Sequence, residues 1–199
     1  MGETNAKEIG APMMNEQTVL VVDDERDIAD LYATWLEMNH EVRTAYGGEE
    51  ALAKADEDVD LIFLDRQMPD MSGDEVLERV REQGLACRVV MVTAVDPDFD
   101  IVDMAFDDYL TKPVMRDDLN EAVQDMQERE EYTETVQEYF ALTSKKATLE
   151  AEKTPSELQE NEEYQKMVRR VDELAKQADT AVAGFEDDFE TLFQEFPSG

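Results

Sequence analysis

Three short runs, "TVLVV" (18–22), "DLIFL" (60–64) and "RVVMVTA" (88–94), constrain this chain more than any other feature in it. Each is apolar at consecutive rather than alternate positions and too short for a core helix. Such a run reads as a strand covered on both faces. Between them lie segments with helical spacing. "ERDIADLYATWLEM" places Ile28, Leu31, Tyr32, Trp35 and Leu36 on one stripe, "GGEEALAKA" opens a second helix, and "GDEVLERVREQG" is a third bounded by glycines. "EVRTA" is a weaker strand. "DYLTKP" supplies a last strand ending at Pro113, before a long helix that begins near Arg116. The stretch "DPDFDIVDMAF" predicts only a short, poorly patterned helix or a loop. Strands alternating with helices five times predict an α/β fold: a doubly wound, five-stranded parallel sheet with helices on each side.

A sheet of this kind places its site at the carboxyl ends of its strands, at a topological switch point. The first strand ends in Asp23 and Asp24, the third in Asp65, the fourth in Thr93 and Ala94, the fifth in Lys112. An acid at the exit of a buried strand is costly unless it has a partner or a task. Three clustered carboxylates repel one another and raise each other's pKa, a conflict that a divalent cation removes. Oxygen ligands in an open, watery site suit Mg²⁺. An aspartate can act as a nucleophile toward phosphorus, and phosphoryl transfer then needs mainly positioning and charge neutralisation. Asp65 is thus the candidate acceptor, Asp23 and Asp24 hold the metal, the Lys112 ammonium supplies further charge and the Thr93 hydroxyl hydrogen-bonds a phosphoryl oxygen.

The four motifs "VLVVDDE", "LIFLDRQMPDMSG", "VVMVTA" and "DDYLTKP", in that order, resemble the receiver domain of two-component response regulators over about residues 17 to 125. The resemblance implies a flavodoxin-like sheet of strand order 2-1-3-4-5, phosphorylation of Asp65 by a sensor histidine kinase, and slow self-dephosphorylation as timing for a switch rather than enzyme turnover. It further implies that Asp24 binds Mg²⁺ directly, that Asp23 acts through water, and that Gln67 gives the metal its backbone carbonyl beside Asp65. Thr93 and Tyr109 would form the switch pair, the aromatic ring rotating inward. Two departures stand out. Thr93 and Lys112 are 19 positions apart, so the fourth helix looks short, and Ala105-Phe106 stands where Gly-Ala is usual. The family's usual dimer mode is therefore not assumed. A haloacid dehalogenase-type phosphohydrolase wants a carboxylate two positions after the nucleophile, where this chain has Gln67. His40, the one histidine, sits in a helix–strand turn and reads as structural, so the chain houses no kinase or phosphotransfer module of its own. Cys87 reads as packing, and "DEDVD" (56–60) as a solvated turn lacking the ligand spacing of a calcium loop.

From Leu119 the pattern changes to steps of three and four: Leu119, Ala122, Met126, Arg129, Thr133, Val136 and Phe140. This predicts a final receiver helix running on into a coiled-coil-like segment. Thr154, Pro155 and Glu157 form a helix start, and Tyr164, Val168, Val171, Ala175, Ala178 and Val182 repeat the seam until Gly184. Phe185, Phe189, Leu192, Phe193 and Phe196 add a short amphipathic piece. Two facing helices predict an antiparallel hairpin, open to homodimerisation. The stretch from "LTSKKATLEAEK" to "RRVDELAKQAD" resembles the HalX domain, a haloarchaeal helical module found after receivers. The expected organisation is a polar tail at 1–16, a receiver at 17–125 and a HalX-like output domain at 126–199.

Charge separates the possible outputs. Acids outnumber bases 51 to 18, for a net charge of -33 spread along the whole chain. Such charge destabilises a fold in dilute buffer and is relieved by salt, which resembles the proteins of a salt-in halophile such as a haloarchaeon. A protein that binds DNA directly wants a basic face; only Lys145-Lys146 and Arg169-Arg170 qualify, and no helix-turn-helix is evident. Output by protein contact is the first expectation, with direct DNA binding as a transcriptional regulator the alternative. No run approaches the roughly 20 apolar residues of a membrane span, and one cysteine forms no internal disulfide, so a cytoplasmic location is expected.

Overall fold

The computed structural model describes residues 17–94, 96–130 and 134–182. The polar segment 1–16, Gly184 and the phenylalanine-rich stretch from Phe185 lie outside the described residues. Five strands form the sheet: β1 (Thr18–Val22), β2 (Glu41–Ala45), β3 (Leu61–Leu64), β4 (Arg88–Thr93) and β5 (Asp108–Thr111). All pair in parallel, in the order β2-β1-β3-β4-β5. This is the predicted order. Val22 lies opposite both Ala45 and Leu64, and Thr93 opposite Thr111, so the strand exits share one rim.

Alternation along each strand sorts the core into two faces. Leu20, Val22, Ile62, Leu64, Val89 and Met91 meet α2 (Gly48–Lys54) and α3 (Gly73–Glu82). Val19, Val21, Leu61, Phe63, Val90 and Val92 meet α1 (Arg26–Leu36) and α4 (Arg116–Glu130). Leu119, Ala122, Val123 and Met126 of α4 belong to that second face. Their spacing is therefore the stripe of a helix packed on a sheet, and they do not open a coiled-coil seam as the sequence pattern predicts. Arg129 and Thr133 fall where side chains are not described. Before α3, Ser72 and Glu75 form a complete capping box.

Between β4 and β5 the described residues make only a 3-10 turn, Phe99–Asp103. A turn that short does not cover its part of the first face, where Ile101, Phe106 and Tyr109 lie. The C-terminal helices cover it: α5 (Glu134–Glu152), α6 (Pro155–Glu160) and α7 (Glu162–Val182). Glu150 meets Tyr164 and Glu138 meets Arg170, so α5 and α7 run antiparallel as predicted. Leu149, Tyr164 and Met167 of this hairpin are buried in the same core as Ile101, Phe106 and Tyr109. Burying an apolar side chain of this size contributes about 1.5–3 kcal/mol, so the hairpin is a structural layer of the receiver. Among the described side chains of α7 the most buried are Tyr164, Met167 and Leu174; the predicted Val168, Val171 and Ala175 are half-buried beside them, and Ala178 and Val182 fall where side chains are not described. The stripe is displaced because α7 packs against both α5 and the 3-10 turn.

Candidate functional site at the carboxyl edge of the sheet

The end of β1 places Asp23 and Asp24 at the rim, the end of β3 places Asp65, and β5 delivers Lys112 just before a cis peptide bond to Pro113. The loop after Asp65 is held tightly. The Gln67 N–H donates to Asp65 Oδ1 at 3.1 Å, and the Gly73 N–H donates to the Arg66 carbonyl at 2.9 Å. A Cβ at Gly73 would lie 2.1 Å from the Asp65 carbonyl oxygen, so only glycine allows the first turn of α3 to close on this loop. Asp70 turns the loop with a positive φ of 66°, a conformation that Asp tolerates better than most residues.

One ammonium joins two of the acids. Lys112 Nζ donates to Asp23 Oδ2 at 2.6 Å and to Asp65 Oδ2 at 2.7 Å. Asp23 is 2% exposed and Asp65 6% exposed. Burial pushes the Asp23 carboxyl above its ordinary range, Lys112 acts against that, and repulsion from Asp65 adds little. The mutual repulsion expected from sequence is thus already relieved in part by Lys112. Burial also disfavours the Lys112 ammonium, but its two carboxylate partners outweigh this and hold its pKa above the usual lysine value. Asp24 completes the group, with one carboxylate oxygen of each aspartate within 4.8 Å of the others. Three carboxylates against one ammonium leave two negative charges in excess, which suits a divalent cation.

Thr93 is fully buried at the exit of β4, and its carbonyl accepts from the Lys112 N–H at 2.9 Å. Tyr109 is buried, its ring tilted against Phe106 at 5.8 Å between centroids. Every predicted site residue is therefore at this rim or, for Tyr109, on the strand that leads to it. Sequence reasoning missed Arg66. Its Nε and Nη2 fork onto Asp74 at 3.0 to 3.2 Å and Nη2 also donates to Asp100; burial raises the Tyr109 phenol's pKa and the nearby guanidinium acts against that. The residues read as structural are so placed. His40 and Cys87 are buried, Asp56 pairs with Arg43, and Asp60 accepts from the Thr18 N–H.

The response regulator receiver domain family matches residues 19–124, and the HalX domain family matches residues 128–193. A protein of Haloferax volcanii named as a candidate transcriptional regulator is 44% identical over 191 residues, 96% of this chain and 33% of its own length. The alkaline phosphatase synthesis transcriptional regulatory protein PhoP of Bacillus subtilis is 42% identical over 59% of this chain and 51% of its own length. The chain therefore spans a third to a half of these curated relatives. A CheY-like receiver domain protein of Methanospirillum hungatei superposes with a TM-score of 0.54 at 30% identity, covering 58% of this chain and 97% of that one. With the sheet order, the acid group and these matches in agreement, the chain belongs to the response regulator receiver family and carries a HalX domain after its receiver.

Proposed function

We propose that the protein is a phosphorylation-controlled switch that accepts a phosphoryl group on Asp65 from the phosphohistidine of a sensor histidine kinase in the cytoplasm. The observation that carries this reading is the Lys112 ammonium bridging Asp23 and Asp65 with Asp24 alongside. In the transfer an Asp65 carboxylate oxygen forms a P–O bond as the P–N bond of the donor breaks, and the electron pair returns to the imidazole. Asp23, Asp24, Asp65 and the Gln67 carbonyl would hold a Mg²⁺, which supplies charge neutralisation at the transferred group. Lys112 offers a positive donor to the same oxygens. Thr93 offers its hydroxyl and, with Tyr109, forms the switch pair. Later hydrolysis of the acyl phosphate is slow and sets the lifetime of the signal, so the chain acts as a switch and not as a metabolic enzyme.

Output by protein contact through the hairpin is the favoured mode. Of the four basic residues once available for DNA, Lys145 is buried against the receiver, Lys146 pairs with Glu150, and Arg170 pairs with Glu138. Little positive surface is left to release counterions from a phosphate backbone. The names of the Haloferax and Bacillus relatives keep transcriptional control as the second reading. None of the described helices is long and apolar enough to cross a membrane.

Acetyl phosphate with Mg²⁺ in molar potassium chloride tests the acceptor. One phosphoryl group per chain is expected by intact mass in wild type and none in Asp65→Asn. Equal labelling of both, or none of either, defeats the assignment.

A further inference from the structure

Arg66 follows the acceptor directly, yet none of the roles above uses it. Its backbone is pinned by the Gly73 N–H. Its side chain joins its own loop to Asp74 in the first turn of α3 and to Asp100 in the 3-10 turn, and lies near the Tyr109 phenol on β5. The same 3-10 turn is gripped from the other side by the hairpin. Lys153 Nζ reaches Asp98 at 2.9 Å. Lys145 Nζ donates to the carbonyls of Val102, at 3.2 Å, and Met104. The Tyr164 ring meets Phe99 at 6.4 Å between centroids, and Ser144 bonds Asp108 at the start of β5. The turn is thus clamped between a guanidinium next to the acceptor and two ammonium groups of the output helices.

We infer that Arg66 is the positioning residue that couples the state of Asp65 to the docking of the C-terminal hairpin, acting through Asp100 and the 3-10 turn; this rests on the phosphoacceptor reading above. Phosphorylation places close to two negative charges one residue from the guanidinium. Among the partners of Arg66, Asp74 holds it by a fork, the stronger arrangement. Asp100 is half exposed and holds it through one nitrogen, so Asp100 is the partner that yields. Movement of Tyr109 takes its phenol away from the guanidinium as well. A turn released on the Arg66 side no longer presents the Val102 and Met104 carbonyls in register for Lys145, and α5 loosens. The coupling uses a two-state element that contacts both sites, the physical requirement for such a link.

Hydrogen exchange on the full chain in molar potassium chloride, with and without beryllofluoride and Mg²⁺, reads the coupling. Acetyl phosphate labelling of Asp65 reads the acceptor separately. In wild type, beryllofluoride is expected to speed exchange across residues 99–104 and 144–153 by about fivefold or more, the low end of allosteric coupling. In Arg66→Gln and in Asp100→Asn the two states are expected to exchange alike across these segments. Asp100→Asn leaves Arg66 forked onto Asp74, so loss of the response there does not come from a collapsed acceptor loop. A wild-type response in either variant, or labelled wild-type protein whose hairpin exchange does not change, overturns the coupling alone. Failure of wild-type protein to take any label overturns the phosphoacceptor reading and the coupling together.

Discussion

Lys112 holds Asp23 and Asp65 to one ammonium with its own side chain 12% exposed, so the three groups share a nearly dry site. Removing one member of such a set strands the charges of the others, and breaking a buried pair this way costs about 3–5 kcal/mol. Lys112→Met is therefore expected to lose stability of that order in the presence of a chelator. It should regain part of the loss in excess Mg²⁺, because a cation among Asp23, Asp24 and Asp65 replaces the missing positive charge. Denaturant unfolding of the variant with chelator and with Mg²⁺ measures both effects. An unfolding midpoint that ignores Mg²⁺ shows that the three aspartates hold no metal. Wild type should gain less from the ion, since Lys112 already offsets one of the three negative charges.

At the scale of elements, α5 puts Lys145 where sequence places a solvated charge. It is 5% exposed, with its Nζ 4.9 Å from the centre of the Phe106 ring and bonded to two carbonyls of the receiver. Burial pushes its pKa down to about 8, against the pull of Asp103 and of Asp107, which itself pairs with Arg81 and Arg88. An unfolded lysine keeps its proton to a pH near 10.5. Between about pH 8 and 10 the unfolded chain binds more protons than the folded one, so this group makes stability rise with pH there; below pH 8 it adds no slope. Cys87 and Tyr164, whose burial raises their pKa values, act in the opposite sense at the upper end. They are common to wild type and Lys145→Met, so the stability difference between the two isolates Lys145. That difference should move in favour of wild type by about 1.4 kcal/mol per pH unit at most over this window, measured by denaturant unfolding. A flat difference places the ammonium in water and undocks α5. The contrast with the rim is instructive. Asp23, Asp65 and Thr93 were legible in the sequence because each ends a run of consecutive apolar residues, Lys112 because it closes the last strand before Pro113, and parallel pairing brings such ends together. Arg66 was not, because its partners Asp74 and Asp100 lie 8 and 34 positions away and nothing local marks them. The docking of α5 was hidden for a related reason: a periodic stripe shows that a helix has an apolar face without naming the surface that covers it. Leu119 to Met126 were misread as a seam because a sheet and a partner helix ask for the same spacing.

For the molecule as a whole, the decisive quantity is the excess of 51 acids over 18 bases. Both layers that meet at the 3-10 turn are acidic, and that region alone carries Asp96, Asp98, Asp100, Asp103, Asp107 and Asp108. Lys145 and Lys153 answer only part of this charge, so docking the hairpin brings two like-charged surfaces together against their repulsion. The Debye length falls from about 10 Å at 0.1 M salt to about 3 Å at 1 M, which screens repulsion between charges about 3–10 Å apart where the layers meet. Salt also weakens the exposed pairs Arg170–Glu138 and Lys146–Glu150, but such pairs are worth about 1 kcal/mol or less. The buried Lys112 contacts are screened least. The balance predicts a melting temperature that climbs with potassium chloride, most steeply below about 1 M, with exchange across residues 144–153 slowing before that of β1 and β3. The hairpin should dock last because it covers the core from one side only, through Leu149, Tyr164 and Met167, whereas the strands are covered on both faces. Sucrose strengthens apolar burial without screening charge, so it separates the two causes. If sucrose reproduces the rise, or if strands and hairpin gain protection together, repulsion between the layers does not control the docked state.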